Sequence, residues 1–172
     1  SRELFPGEAG AVHALRFDHA GTLVAVAADP GVAVVEVARA QVLWTCPGTA
    51  WDAAFSADGL QLAHVHSAVR QAWVRDARTG AIQAGPLHHA DFTIGVAFHP
   101  RRRQLLTTSN DGLVSVWDLA GGTLLRTISG HADGVRDVRF SKDGRRMTTA
   151  SLDNTLRLWE ADFGLPLGEF MS

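Results

Sequence analysis

Two stretches of this chain nearly spell one formula: Ser109-Asn110-Asp111-Gly112-Leu113-Val114-Ser115-Val116-Trp117-Asp118 and Ser151-Leu152-Asp153-Asn154-Thr155-Leu156-Arg157-Leu158-Trp159-Glu160. A sequence that repeats itself about every 40 residues folds as copies of one supersecondary unit, because such a unit cannot bury its apolar face alone and must stack on its neighbours. The period is marked by Phe17, Phe55, Phe98 and Phe140, spaced 38, 43 and 42 residues apart. Each closes a short apolar run and precedes a turn: Asp18-His19-Ala20-Gly21, Ser56-Ala57-Asp58-Gly59, His99-Pro100-Arg101-Arg102 and Ser141-Lys142-Asp143-Gly144. Asp-Gly after such a run is a hairpin signal. A second run follows, as in Gln104–Ser109 or Arg146–Ser151, then a tight turn at the Asp, then a third run ending at Trp117-Asp118 or Trp159-Glu160; Thr123–Ile128 supplies a fourth. No window keeps a 3.6-residue apolar period, so the chain reads as all-β, a series of four-stranded antiparallel meanders.

The fourth unit places Gly130-His131, Ser141-Lys142-Asp143-Gly144, Ser151-Leu152-Asp153 and Leu158-Trp159 at the spacing of WD repeats, and the chain resembles the WD-repeat family of β-propellers over essentially its whole length. The third unit matches nearly as well, with His88-His89 in place of Gly-His. The first two depart further: Glu8 and Cys46 stand where the loop His belongs, and Val35 and Arg75 (or Val74, with the gap placed differently) where the Trp belongs. The resemblance implies four blades of about 41 residues. Residues 1–5 are then an outer-strand remnant of a preceding blade, followed by blades at 6–46, 47–88, 89–129 and 130–172.

It also implies a hydrogen-bonded chain inside each intact blade, made of His131, Thr149, Asp153 and Trp159 in the fourth and His89, Thr107, Asp111 and Trp117 in the third. Each link is worth ~1 kcal/mol net, and a member left buried without its partner costs more. A Ser/Thr-His-Asp set also occurs in hydrolases, but here the Asp belongs to the His through a local turn and no G-x-S-x-G sequence appears. These eight residues read as structural, and the two blades that lack the set are expected to be the less stable.

Sixteen basic and eighteen acidic residues give a net charge of −2, so no global field draws the chain to nucleic acid or a membrane surface. One cysteine excludes an intrachain disulfide framework, and the apolar runs are too short to span a bilayer, which makes the cytoplasm the expected compartment. The chain opens at Ser1 without a methionine or signal-peptide pattern and so reads as a trimmed or excised piece. Abundant Ala, Gly and Arg with no Tyr point to a GC-rich, bacterial-type source.

Rings of this family usually close with seven or eight blades, so four cover little more than half a circle and leave a bare sheet face at each end. One such face is about 350 Å², worth at most ~9 kcal/mol if covered. The expected solution is a two-fold homodimer closing an eight-bladed ring, with Arg2 to Phe5 at the junction. A longer propeller completed by other blades is the alternative, and a four-bladed ring closed on itself demands steeper wedges than this family provides.

Three surface features bear on function. The residue four before each marker phenylalanine lines the central mouth on the top face: His13, Trp51, Ile94 and Arg136, joined by Ala28, Ser67, Asn110 and Leu152 before the second turn. A Trp beside an Arg is hot-spot composition for a protein or peptide partner. On the opposite edge Arg101, Arg102, Arg103, Lys142, Arg145 and Arg146 crowd two neighbouring turns, a possible anion patch, although solvated hairpin tips are often charged and no aromatics are interleaved for nucleic acid. In the second blade His64 and His66 share a strand face near Cys46, a thiol and two imidazoles that match no established metal spacing and read more simply as replacements in a decayed network. Nothing points to a cofactor. The chain therefore reads as a non-catalytic protein-protein interaction module, the recognition or scaffold segment of a larger signalling protein. A propeller-based hydrolase or metal protein, with its site in blade two or the central channel, is the alternative, disfavoured by the lack of convergent acids, phosphate loops or a nucleophile motif.

Overall fold

The computed structural model describes residues 4–5 and 10–171. Its strands fall into four antiparallel sheets in sequence order. The first holds β1 (Val12–Phe17), β2 (Leu23–Ala28), β3 (Gly31–Glu36) and β4 (Gln41–Pro47), and the second β5 (Ala50–Phe55), β6 (Gln61–His66), β7 (Gln71–Asp76) and β8 (Ile82–His88). The third holds β9 (Thr93–Phe98), β10 (Gln104–Ser109), β11 (Val114–Asp118) and β12 (Thr123–Ile128), and the fourth β13 (Val135–Phe140), β14 (Arg146–Ser151), β15 (Thr155–Glu160) and β16 (Leu165–Met171). The described residues contain no helix. Leu4 and Phe5 lie in a bend; the rest of the expected outer-strand remnant, and Glu8, fall outside the described residues.

The turn chemistry explains the recurrent Ser-x-Asp-Gly. Between β13 and β14, Ser141 Oγ donates to Asp143 Oδ1 at 2.6 Å, Asp143 Oδ1 accepts from Arg145 N at 3.0 Å, and Ser141 Oγ accepts from Arg146 N at 3.0 Å. Side chains thus occupy the backbone groups that a reversing chain leaves unpaired. Between β1 and β2 Asp18 does this alone, taking Thr22 N at 2.7 Å and Leu23 N at 2.9 Å. Between β9 and β10 it is His99 Nδ1 that accepts from the amides of Arg101 and Arg102.

The core lies between sheets. Leu23, Val32 and Val34 pack on Ala53, Phe55 and Leu62; Val65, Val74 and Leu87 on Val96, Phe98, Leu105 and Trp117; Val114, Val116 and Ile128 on Val138, Phe140, Met147 and Trp159. Phe55, Phe98 and Phe140 each cover the preceding sheet. Phe17 holds the same place in β1 and is 64% exposed, with Leu15 beside it at 58%. At the other end, cross-strand pairing of Ala150, Leu156 and Phe170 puts all three on the face turned away from the third sheet, where Leu156 is 42% and Phe170 59% exposed. A self-closed ring of four would bury both faces. The four sheets form an open arc instead, stacked through the innermost strands β1, β5, β9 and β13.

Candidate functional site

In the fourth sheet the loop before β13 brings His131 to the side chains of β14 and β15. Trp159 Nε1 donates to Thr149 Oγ1 at 2.8 Å, Thr149 Oγ1 lies 2.6 Å from His131 Nε2, and His131 Nδ1 lies 2.9 Å from Asp153 Oδ2. The directions run one way: indole to hydroxyl, hydroxyl to imidazole, imidazole N–H to carboxylate. Burial works against the charge on Asp153, but bonds from Thr155 Oγ1, Ala132 N, His131 and Thr155 N outweigh it and hold the carboxyl well below its ordinary value. Each side chain of this hydrogen-bonded run is held by the next, which is the arrangement of a brace rather than of a nucleophile and its base.

The third sheet joins three of the corresponding four. Trp117 Nε1 donates to Thr107 Oγ1 at 2.8 Å, and that oxygen lies 3.2 Å from His89 Nε2, while Asp111 Oδ1 turns to Leu113 N at 3.1 Å. The difference has a steric source. Gly130 has φ +153°, and a Cβ there would meet Trp159 Cη2 at 2.8 Å. The third repeat has His88 at that place, so its loop cannot run over the indole in the same way. His89 lies 5.3 Å from its Trp between ring centroids, against 6.1 Å for His131 and Trp159.

The central mouth is built by the innermost strands. His13 and Trp51 stack, 4.6 Å between centroids and 10° from parallel, and the Arg136 guanidinium lies over the same indole at 5.9 Å. His13 Nε2 is fixed from behind by Asp29 Oδ1 at 2.7 Å, and Asp29 also accepts from Ala11 N. Together with Ile94, these side chains line a cavity of about 260 Å³. At its floor lies Asp52, buried between Arg16 at 2.8 Å and Arg139 at 3.9 Å. Burial pushes the Asp52 carboxyl up, opposed by Arg16, Arg139 and the amides of Val96 and Ala53. Of the residues expected to extend this mouth, Leu152 and Asn110 are exposed. Ala28 and Ser67 are buried and offer almost no surface.

Comparison with known proteins places these features. The family model for the WD domain, G-beta repeat (WD40), matches residues 85–118 and 122–160. Protein groucho of Drosophila melanogaster is 34% identical over 95 residues, 55% of this chain and 13% of groucho. Two solved structures, one of U3-55K and one of the RRP9 WD40 repeats, superpose with a TM-score of 0.84 over 98% and 99% of this chain, at 23% identity. This chain carries WD repeats at residues 85–118 and 122–160. It spans 13% of groucho and 54% of each of the two structures, and its likeness to those structures is one of fold.

The six cations of the opposite edge, Arg101, Arg102, Arg103, Lys142, Arg145 and Arg146, are all exposed. They are not a bare positive field: Arg102 pairs with Asp162, and Asp143 sits inside the turn that carries Lys142 and Arg145. The second sheet holds a different polar cluster where the His-Thr-Trp brace would be. Leu62 pairs with Arg75 as Met147 pairs with Trp159, so Arg75 occupies the Trp position and His64 the Thr position. Arg75 Nε donates to His64 Nε2 at 3.0 Å, Nη2 to Cys46 Sγ at 3.3 Å, and Nη1 to Gly80 O at 2.9 Å. The spacing could not show the Asp52 clamp, which joins residues of three repeats, although an Arg directly before the marker Phe in the first and fourth repeats was a visible signal.

Proposed function

We propose that this chain is a non-catalytic interaction module that holds a peptide segment of a protein partner at the central mouth of its top face. The observation that carries this reading is the His13–Trp51–Arg136 stack. A half-exposed indole, 36% accessible, is held flat by an imidazole that Asp29 anchors, with an exposed guanidinium over its edge. Rigid aromatic and Arg anchors lose little entropy on binding and dominate protein interfaces. Arg16 already serves Asp52 and Arg139 serves Asp137 and Asp52, so Arg136 is the lining cation over the indole, and it suits a peptide that sets an acidic side chain beside an apolar one. The two acids that line the cavity, Asp52 and Asp137, are both held by Arg139, which leaves Arg136 to meet a partner's carboxylate.

The test is selection of peptides from a displayed library against the intact chain. Selected peptides should carry Asp or Glu next to a bulky apolar residue. They should lose about 2 kcal/mol or more, some 30-fold in affinity, on Trp51→Ala or Arg136→Ala. Peptides bound by both variants as tightly as by the unsubstituted chain, with unchanged thermal melts, would put the partner site elsewhere.

We further propose that the two open faces are covered by a second copy, the fourth sheet of each chain meeting the first sheet of the other in an eight-bladed ring. Leu15 and Phe17 on one face and Leu156 and Phe170 on the other support this pairing, since each pair holds a position that faces a neighbouring sheet at every other junction.

A further inference from the structure

We propose that Cys46, His64 and His66 form a binding site for a soft monovalent metal ion, cuprous copper. The proposal is independent of the peptide-binding reading. Cys46 lies near the end of β4, and His64 and His66, two apart on β6, project from the same face of the neighbouring sheet toward it. One ligand atom from each, the thiol sulfur and a nitrogen of each ring, can be chosen so that all three lie within 4.8 Å of one another. The two imidazoles are buried. His64 Nδ1 and His66 Nε2 have no hydrogen-bond partner among the described residues. In the fourth blade the equivalent space is filled by a brace in which every nitrogen is satisfied. A replacement that served packing alone would not leave two buried ring nitrogens without partners, whereas a metal ion gives ring nitrogens a partner.

Charge decides which ion. The ligands are one thiolate, formed as the thiol releases its proton, and two buried imidazoles, which ligate as neutral rings, with the Arg75 guanidinium 3.0 Å from His64 Nε2 and 3.3 Å from Cys46 Sγ. The Arg75 guanidinium cannot leave easily, since it bonds Gly80 O and lies 6.0 Å and 5.9 Å from the rings of Trp44 and Trp73. A divalent ion on one thiolate would leave a net positive charge against that fixed cation. A monovalent ion leaves none, and sulfur with imidazole at low coordination number is the donor set that cuprous copper prefers. Cys46 is half-exposed and Pro47 and Gly48 beside it are exposed, so the sulfur can be reached from solvent.

The experiment is an anaerobic titration of the whole chain with Cu(I) in competition with a chromogenic cuprous chelator. One equivalent should be withdrawn from the chelator, with a thiolate-to-copper band in the ultraviolet. Cys46→Ser and His66→Gln should each weaken binding by more than the roughly 10–100-fold typical of losing a residue that only supports a ligand, while His19→Gln in an exposed turn should change nothing. Thermal melts of each variant separate lost ligation from lost fold. Failure to compete for Cu(I), binding in both ligand variants as tight as in the unsubstituted chain, or Zn²⁺ held against a chelator when Cu(I) is not, would overturn the assignment.

Discussion

Thr149 shows how one hydroxyl organises a blade: it accepts from an indole and contacts an imidazole, with both partners on other elements. Trp159→Phe keeps most of the ring packing and removes the donor, so it should destabilise the chain by ~1–3 kcal/mol in urea unfolding, and Trp117→Phe by a similar amount. Acid should act through the histidines. Burial lowers His89 to about 4 from its ordinary 6.5. The unfolded chain therefore takes up a proton near 6.5 and the folded one only near 4, so stability is full above 6.5 and falls as pH drops between those values. His64 and His66 carry the same sign, whereas the depressed Asp153 carboxyl withdraws its contribution only below the ordinary carboxylate value of 3.8. Unfolding midpoints measured from pH ~7 to ~4.5 should fall, and His89→Gln should remove roughly 2 kcal/mol of that fall. The fourth-blade brace was legible because its parts sit at fixed offsets within one repeat. The Cys46–Arg75–His64 cluster was not, because an Arg in a Trp position matches no motif and its meaning depends on a sulfur from the previous sheet.

At the scale of strands and turns, the hairpins were the most readable part of the chain, since Asp-Gly after an apolar run demands a left-handed residue. That demand gives a paired prediction. Gly21 and Gly144 both have positive φ, +69° and +74°, but a Cβ at Gly21 meets nothing within 4 Å while one at Gly144 would come within 2.6 Å of His99 Cε1. Gly21→Ala should cost only the left-handed penalty of about 1–2 kcal/mol, and Gly144→Ala distinctly more, because His99 is also the acceptor that holds the Arg101 and Arg102 amides. Equal losses in the two variants would mean that His99 is free to move. The turn from His99 to Arg102 was read from its place in the repeat, but the part played by its first residue was not, because a histidine doing the work of Ser and Asp leaves no sequence signature.

For the whole molecule, the spacing of four phenylalanines was enough to foresee four stacked meanders, and the likeness to WD40 propellers agrees with it. What spacing alone could not supply was the meeting of residues from different repeats, such as Arg16, Asp52 and Arg139, because those contacts follow from the curvature of the arc rather than from local pattern. The same curvature leaves Phe17 and Leu15 bare at one end and Leu156 and Phe170 at the other. Burying faces of this size outweighs the usual cost of association between matched surfaces, so a lone arc should be scarce in solution. Sedimentation equilibrium at micromolar concentration tests this most directly. A single species near twice 18.4 kDa, lost on Phe17→Asp, is the predicted result, and a well-behaved 18.4 kDa monomer that binds no hydrophobic dye would contradict it.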